Sequence, residues 1–182
     1  MQTIFTTALL GLLFFSNQSG VAANAPAHPA ALHVAATGYN AVPEQTDNEP
    51  FITASGAYAD PDMIVARSAD LADALPFGTV IQIVPTDATS SPQCGIGLVS
   101  DFMGLRVVAD SMHPRKHNQI DILFHSDDYV KVNGKMVNPA IALGVCKDVE
   151  VRIVGHVGVN DMPRNQAELV QKIGHASIAR NN

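Results

Sequence analysis

Tryptophan is absent from the 182-residue sequence, and the only tyrosines are Tyr39, Tyr58 and Tyr129. A broad aromatic platform that stacks on sugar rings is therefore missing. Positive charge is also scarce, because the longest run of cations is Arg115-Lys116 and the net charge is −6. An acidic chain with few clustered cations has no electrostatic attraction to the phosphates of a nucleic acid, which argues against a nucleic-acid partner.

The sequence also lacks a long apolar run. The N-terminal apolar stretch, residues 8–15, is about half as long as a bilayer-spanning helix, so we predict no stable membrane anchor. Small residues follow it and end at Ala23, as at a signal-cleavage site, although no Lys or Arg precedes it. We predict a signal peptide over residues 1–23, a flexible leader over 24–32, and a periplasmic or secreted protein.

Cysteine is limited to Cys94 and Cys146. Their spacing matches no zinc pattern. An oxidising compartment would let them pair, and closing so long a loop would stabilise the fold by roughly 4 kcal/mol. We predict a disulfide that tethers the polar connection over residues 85–97; the alternative is two separate buried thiols.

What the sequence does contain is a series of short segments rich in β-branched and apolar residues, separated by turns. These segments are residues 33–39, 63–67, 80–84, 105–109, 119–124 and 149–154. With 47% hydrophobic residues, the chain can bury one core. The pattern predicts a mostly β protein whose single domain, residues 33–156, is a small closed six-stranded barrel.

Three further elements are predicted from turn and cap residues. Asn133-Gly134 tolerates positive φ angles, so it predicts a tight hairpin between residues 129–132 and 135–137. Asn138 and Pro139 predict the start of a short helix over residues 139–143. A second helix is expected to begin near Asp161 and Pro163 and to end at Gly174, within a C-terminal tail over 157–182 that either packs on the barrel or hangs free.

Asp121 stands out in the strand predicted over residues 119–124. Alternation puts Ile120, Ile122 and Phe124 on one face and leaves Asp121 with Leu123 on the other. Burial disfavours an ionised carboxylate, and a second carboxylate nearby, Asp110, disfavours it further. We therefore predict that Asp121 keeps its proton near neutral pH and serves as a general acid.

Several motifs carry a resemblance to a known family. They are Tyr39-Asn40, Gln45-Thr46-Asp47, residues 50–56 (Pro-Phe-Ile-Thr-Ala-Ser-Gly), Pro76-Phe77-Gly78-Thr79, Val108-Ala109-Asp110 and Ile120-Asp121-Ile122. In this order they resemble the 3D domain, named for three aspartates. The resemblance covers approximately residues 34–154. It implies a double-psi β-barrel similar to the catalytic barrel of membrane-bound lytic transglycosylase A and to barwin-like and expansin-like domains.

By position, the three aspartates of that family match Asp70, Asp110 and Asp121. The resemblance places the catalytic acid at Asp121, with Asp110 beside it in the cleft. The substrate-binding residues that it implies are Thr53, Gln45, Thr46, Asp70 and Ser68. Each has a structural alternative, such as a turn hydroxyl for Thr53, a cap of a helix over residues 71–74 for Asp70, and backbone capping for the two cleft aspartates. Residues 110–115 replace the glycine-rich turn of the best-known enzymes.

The function implied is a peptidoglycan lytic transglycosylase, a monomer without cofactor that cuts glycan strands with a single acid. The alternatives are a non-catalytic peptidoglycan- or carbohydrate-binding barrel and a purely structural exported domain. A metal site at His113, His117 or His125 is disfavoured, because Pro114 prevents the first two from sharing a helical face.

Overall fold

The computed structural model describes residues 31–43 and 49–180, with side chains up to residue 174. The strands are β1 (Ala31–Asn40), β2 (Ile64–Arg67), β3 (Thr79–Val84), β4 (Leu105–Ser111), β5 (Gln119–Phe124), β6 (Val130–Val132), β7 (Lys135–Val137) and β8 (Cys146–His156). The helices are α1 (Pro139–Leu143) and α2 (Gln166–Arg180), with 3-10 turns at Ala69–Leu71, Asp87–Ser90, Ile96–Leu98 and Ser100–Phe102.

Six strands close into a barrel in the order β1-β5-β2-β4-β3-β8, and β6 and β7 form a separate two-stranded sheet. The pairs β1–β5 and β2–β4 are parallel, whereas the other four neighbouring pairs are antiparallel. A parallel pair cannot be joined by a tight hairpin, so the chain crosses between these strands. The prediction of a small six-stranded barrel with short helices is confirmed.

The first strand begins earlier than predicted. Ala31 pairs with Arg152 and Leu32 pairs with Val151, so two residues assigned to the leader belong to the barrel. Their backbone groups have ladder partners on β8, which fixes them as strand rather than tail. The rest of the predicted leader and the predicted signal peptide lie outside the described residues.

Alternation along β5 divides its side chains between two clusters. Ile120, Ile122 and Phe124 point into the barrel and join the main core, as predicted. Leu123 faces outward and packs with Tyr39, Ile64 and Ala66 against alanines of the segment over residues 49–59. Asp121 shares this outer face, so the barrel presents a partly covered surface around it.

Arg106 on β4 is buried with 1% of its surface exposed, and it ties the chain just after this covering segment, at Pro61, to the barrel. Its guanidinium donates to the backbone carbonyls of Met103 (2.7 Å), Leu123 (3.2 Å), Pro61 and Phe102. Burial lowers the pKa of this side chain to about 10, so it remains a cation at neutral pH. Hydrogen bonds to carbonyl oxygens compensate for the lost water.

The predicted hairpin and the predicted short helix are both confirmed. Asn133 and Gly134 adopt φ angles of 50° and 83° between β6 and β7. Asn138 accepts a hydrogen bond from the amide of Ala140 at 2.9 Å at the start of α1. Gly144 follows α1 with a φ of 63°, where a β-carbon would be strained.

Helix α2 differs from its predicted boundaries. It begins at Gln166 because the Asn165 side chain accepts the Glu168 amide at 3.0 Å and caps it there. It continues past Gly174, which does not take the positive φ of a capping glycine. Leu169 and Ile173 pack with Met63 and neighbouring barrel residues, so the tail does not hang free. Within the described part of the chain, no helix is both long and apolar enough to cross a membrane.

The predicted disulfide between Cys94 and Cys146 is present, and Cys146 is fully buried. It fastens the connection over residues 85–97 to the start of β8. Backbone hydrogen bonds lie on either side, from Gly95 to Leu143 at 2.8 Å and from Val145 to Gln93 at 3.0 Å. The predicted tether therefore combines a covalent bond with local pairing.

Reduction of this disulfide should lower the free energy of unfolding by about 4 kcal/mol, because 52 residues separate the two cysteines and the bond restricts the unfolded chain. Urea denaturation with and without reductant measures the change. The variant Cys94→Ala/Cys146→Ala is the control and should not respond to reductant. Equal stability of the oxidised and reduced wild type would contradict the prediction.

Candidate functional site

Strand register places four residues in one row across four neighbouring strands. Thr37 on β1 pairs with Asp121 on β5, Asp121 pairs with Ala66 on β2, and Ala66 pairs with Asp110 on β4. Neighbouring strands lie about 4.8 Å apart, so the two aspartates are about 10 Å apart at their Cα atoms. The methyl group of Ala66 lies between them and leaves open space above the sheet.

A β-bulge puts Asp110 into this row. Val65 pairs with Val108, but the next residue of β2, Ala66, pairs with Asp110, so Ala109 is the additional residue on β4. Without the bulge, Ala109 would face Ala66 and Asp110 would move one position along. Bulges commonly redirect a side chain in this way next to functional sites.

A cavity of about 610 Å³ opens above this row of residues. Its walls come from β1, β2, β4, β5, the segment over residues 49–54 and the loop over residues 111–116. The lining residues are Tyr39, Glu49, Pro50, Ile52, Thr53, Ala54, Ala66, Asp110, Ser111, Met112, His113, Lys116 and Asp121. The structure therefore brings together three of the predicted site residues, Asp110, Asp121 and Thr53.

Asp110 accepts three hydrogen bonds from the protein. The Tyr39 hydroxyl donates to one carboxylate oxygen at 2.9 Å, and the backbone amides of Ala54 and Ser111 donate to the other, each at 2.9 Å. Burial and the charge of Asp110 raise the pKa of Tyr39 far above its ordinary range, so its hydroxyl stays a donor. Asp110 thus joins β1, β4 and the covering segment.

That covering segment, the hairpin over residues 49–59, has its own internal bonds. Ile52 and Tyr58 form a bridge, and the tip turns at Gly56, which has a φ of 84°. The buried Thr53 hydroxyl donates to the carbonyl of Ala57 at 3.0 Å. The Ser55 amide donates to the carbonyl of the bulge residue, Ala109, at 3.0 Å. The hydroxyl of Thr53 thus stabilises the turn while its side chain lines the cavity.

Asp121 has a different environment from Asp110. Its carboxylate accepts one side-chain hydrogen bond, from the Thr37 hydroxyl at 2.8 Å. The Thr37 hydroxyl in turn accepts a hydrogen bond from the side-chain amide of Gln119 at 2.8 Å. Burial raises the pKa of Asp121 from 3.8 to about 6; the Thr37 hydrogen bond and Lys116 oppose the rise, and Asp110 adds the smallest contribution. The pKa of Asp121 is raised, as predicted, and burial is the main cause, as predicted. At pH 7, however, the ionised form of Asp121 predominates, whereas we expected the protonated form near neutral pH.

Asp70 and Ser68 do not line the cavity. Ser68 is buried, and its hydroxyl accepts a hydrogen bond from the backbone amide of Gln119 at 3.1 Å. Asp70 accepts from the Asn118 amide at 2.8 Å, and bonds from Ser68 and Asn118 lower its pKa. No side-chain cap is present on the 3-10 turn at Ala69–Leu71, so Asp70 does not cap it. Both residues hold the loop that leads into β5.

Gln45 and Thr46 lie outside the described residues. Sequence reasoning missed Thr37 and Lys116. The signal for Thr37 was alternation along β1, which gives it the same face as Tyr39. His113, His117 and His125 are all exposed, and of the three only His113 lines the cavity. Among the residues whose side chains are described, no three His, Cys, Asp or Glu groups are placed to hold a metal ion.

No protein-family model matches the chain, and a search of curated proteins finds no relative. The described part of the chain is a closed six-stranded β-barrel with an acidic cleft on its outer face.

Asp110→Ala should destabilise the protein by about 1–3 kcal/mol, because the buried Tyr39 hydroxyl and two amides lose their acceptor. Amide exchange at Ala54 and Ser55 should accelerate, since the hairpin loses its attachment. Tyr39→Phe removes one of the three bonds and is the matched control, with a smaller effect. Unchanged exchange in Asp110→Ala would show that the hairpin does not depend on this carboxylate.

Asp121→Asn should stabilise the protein above pH 6 and leave stability unchanged below about pH 3.8. The native state binds the proton more tightly than the unfolded chain, so wild-type stability falls as pH rises between these values. A shift from 3.8 to about 6 corresponds to about 3 kcal/mol. Denaturation of both proteins from pH 3 to 8 measures the difference, and a difference independent of pH would refute this account.

Proposed function

We propose that this protein is an exported, cell-wall-acting barrel of the 3D type and that it is a lytic transglycosylase acting on peptidoglycan glycan strands. The observation that carries the proposal is the contrast between the two acids of the cleft. Asp121 is largely buried with a pKa raised to about 6, whereas Asp110 is held by three protein donors. The arrangement suits chemistry with one mobile proton.

In the proposed reaction, the protonated carboxyl of Asp121 donates its proton to the oxygen between N-acetylmuramic acid and N-acetylglucosamine. The bond from the anomeric carbon to that oxygen breaks. The 6-hydroxyl of the muramic residue attacks the same carbon, and its proton passes to the Asp121 carboxylate. One strand ends in a 1,6-anhydro sugar, the other in a free 4-hydroxyl, and Asp121 has its proton back.

A hydrolytic glycosidase is the competing chemistry, and it needs a second carboxylate to activate water or attack the sugar. Asp110 is poorly suited to that role because both of its oxygens already accept hydrogen bonds from the protein. An internal nucleophile removes the need for a second acid. Its attachment to the substrate also supplies the proximity that an enzyme group would otherwise provide.

Membership of the 3D type and a double-psi barrel belong to the same proposal. The motif residues Thr53, Asp110 and Asp121, which are distant in sequence, meet at one cleft. The barrel contains two parallel strand pairs joined by crossing connections. The disulfide is compatible with an oxidising compartment such as the periplasm or the cell exterior.

A non-catalytic glycan-binding barrel is the second candidate, and the pKa of Asp121 favours it at neutral pH. With a value of about 6, only about one molecule in ten carries the proton at pH 7. A binder would use the same cleft without needing that proton.

Incubating residues 24–182 with murein sacculi and analysing the products by mass spectrometry tests the enzyme. We expect 1,6-anhydro ends, formed at a rate that falls as pH rises through about 6 because the acid form of Asp121 is lost. Asp121→Asn should abolish them. Asp127→Asn, an exposed aspartate beyond β5, is the control.

Binding to sacculi without anhydro products at any pH from 4 to 8 would favour the binding protein. Reducing ends formed with uptake of solvent oxygen from labelled water would indicate a hydrolase instead. If the protein neither binds sacculi nor forms products, the cleft has no glycan function.

A further inference from the structure

The loop between β4 and β5 concentrates positive charge on an acidic protein. Arg115 and Lys116 are adjacent in this loop, between His113 and His117, in a chain with a net charge of −6. Of these, His113 and Lys116 line the cavity that contains Asp121. The cleft therefore has acids on its floor and a cationic edge on one side.

The loop is held in place at both ends. The Met112 amide donates to the Arg67 carbonyl at 2.9 Å, and the Asn118 amide donates to the Asp70 carboxylate at 2.8 Å. Between them, the Lys116 amide donates to the His113 carbonyl at 2.9 Å and closes a turn. Lys116 is thus carried on a fixed loop rather than on a free strand end.

The ammonium group of Lys116 is available to a ligand. Among the residues with described side chains, no carboxylate forms an ion pair with it. Of the residues that line the cavity, it is the one Lys or Arg, and it shares the cavity with the acids Glu49, Asp110 and Asp121. A ligand carboxylate would be repelled near the floor and attracted at this edge.

We propose that Lys116, assisted by His113, is a carboxylate subsite that selects glycans bearing a carboxylate substituent over neutral glycans and orients them with the neutral linkage toward Asp121. That the ligand is a glycan rests on the proposed function. That the site prefers a carboxylate rests on the position of Lys116 on the loop between β4 and β5. Two sources supply this chemistry in an amino-sugar polymer: the lactyl carboxylate of a muramic residue without a peptide, and the free carboxylates of the peptide where one is attached.

Binding at this subsite would also be coupled to the proton of Asp121. The titratable groups that line the cavity with Asp121 are Asp110 and the neutral phenol of Tyr39 on the barrel, Lys116 and His113 on the loop, and Glu49 on the hairpin. The charge of Lys116 lowers the pKa of Asp121, so a bound anion that neutralises it raises that pKa. By linkage, a protonated Asp121 binds the anionic ligand more tightly.

Calorimetry with three soluble probes tests the subsite: chitotetraose, a peptide-free muramic tetrasaccharide with its lactyl carboxylate, and the same glycan bearing peptides. We expect Lys116→Gln to weaken binding of a carboxylate-bearing probe about tenfold and that of chitotetraose less than about twofold. Lys131→Gln, on the distant β6–β7 hairpin, is the control and should change neither. Raising ionic strength from about 0.01 M to about 1 M should weaken the charged probe selectively.

The pattern of losses identifies the source of the carboxylate. A lactyl site responds only to the peptide-free muramic probe, because the peptide is attached through the lactyl carboxyl and leaves no free lactyl carboxylate, whereas a peptide site responds only to the peptide-bearing probe. A carbon-13 NMR titration of the Asp121 carboxyl should show a higher pKa with the charged probe bound, and Lys116→Gln should remove that difference. Equal losses for charged and neutral probes, or none, overturn the subsite while leaving the proposed reaction intact. Failure of every probe to bind overturns both.

Discussion

Three hydrogen bonds to the Asp110 carboxylate are the constraint on which the cleft depends. They join a phenol from β1, an amide from the hairpin and an amide from β4 to one acceptor. The hairpin is further fixed through the carbonyl of Ala109. Because this hairpin forms a wall of the cavity, the partial burial of Asp121 follows from a contact that Asp121 itself does not make.

The two acids of the cleft therefore have different roles although they share one sheet face. Asp110 accepts three hydrogen bonds from the protein, and these bonds maintain the geometry of the cleft. Asp121 is partly buried and has one hydroxyl donor, and its burial raises the pKa to about 6. The two carboxyl groups are chemically identical, but their surroundings give one a structural role and the other the role of carrying a proton.

Local signals in the sequence predicted local structure well. Asn133-Gly134 identified the hairpin, and Asn138-Pro139 identified α1. Period-two alternation separated Asp121 from the face that carries Ile120 and Ile122, which the structure shows to be the barrel interior. Two cysteines in a chain with an export-like start predicted the disulfide. The start of α2 was misplaced because Pro163 suggested a first turn, whereas the side chain of Asn165 provides the cap.

The cleft could be predicted only in part, because its geometry depends on pairing between distant strands. Nothing near Ala109 in the sequence reveals a bulge, and nothing near Ala66 reveals two acids as cross-strand neighbours. Ser68 and Asp70 were assigned to substrate by motif position, yet their partners at residues 118 and 119 make them supports of a loop. These contacts join residues that are distant in sequence, so they form only in the folded barrel.

The position of Ala66 between the two acids limits how this cleft can change. The width of one strand sets the separation of the two Cα atoms, so the spacing of the carboxyl groups changes only with side-chain rotamers and side-chain length. Replacing Asp with Glu at either position would bring the two carboxyl groups within reach of a closer spacing. A lineage that keeps this barrel can therefore alter the spacing of its acids without altering any strand.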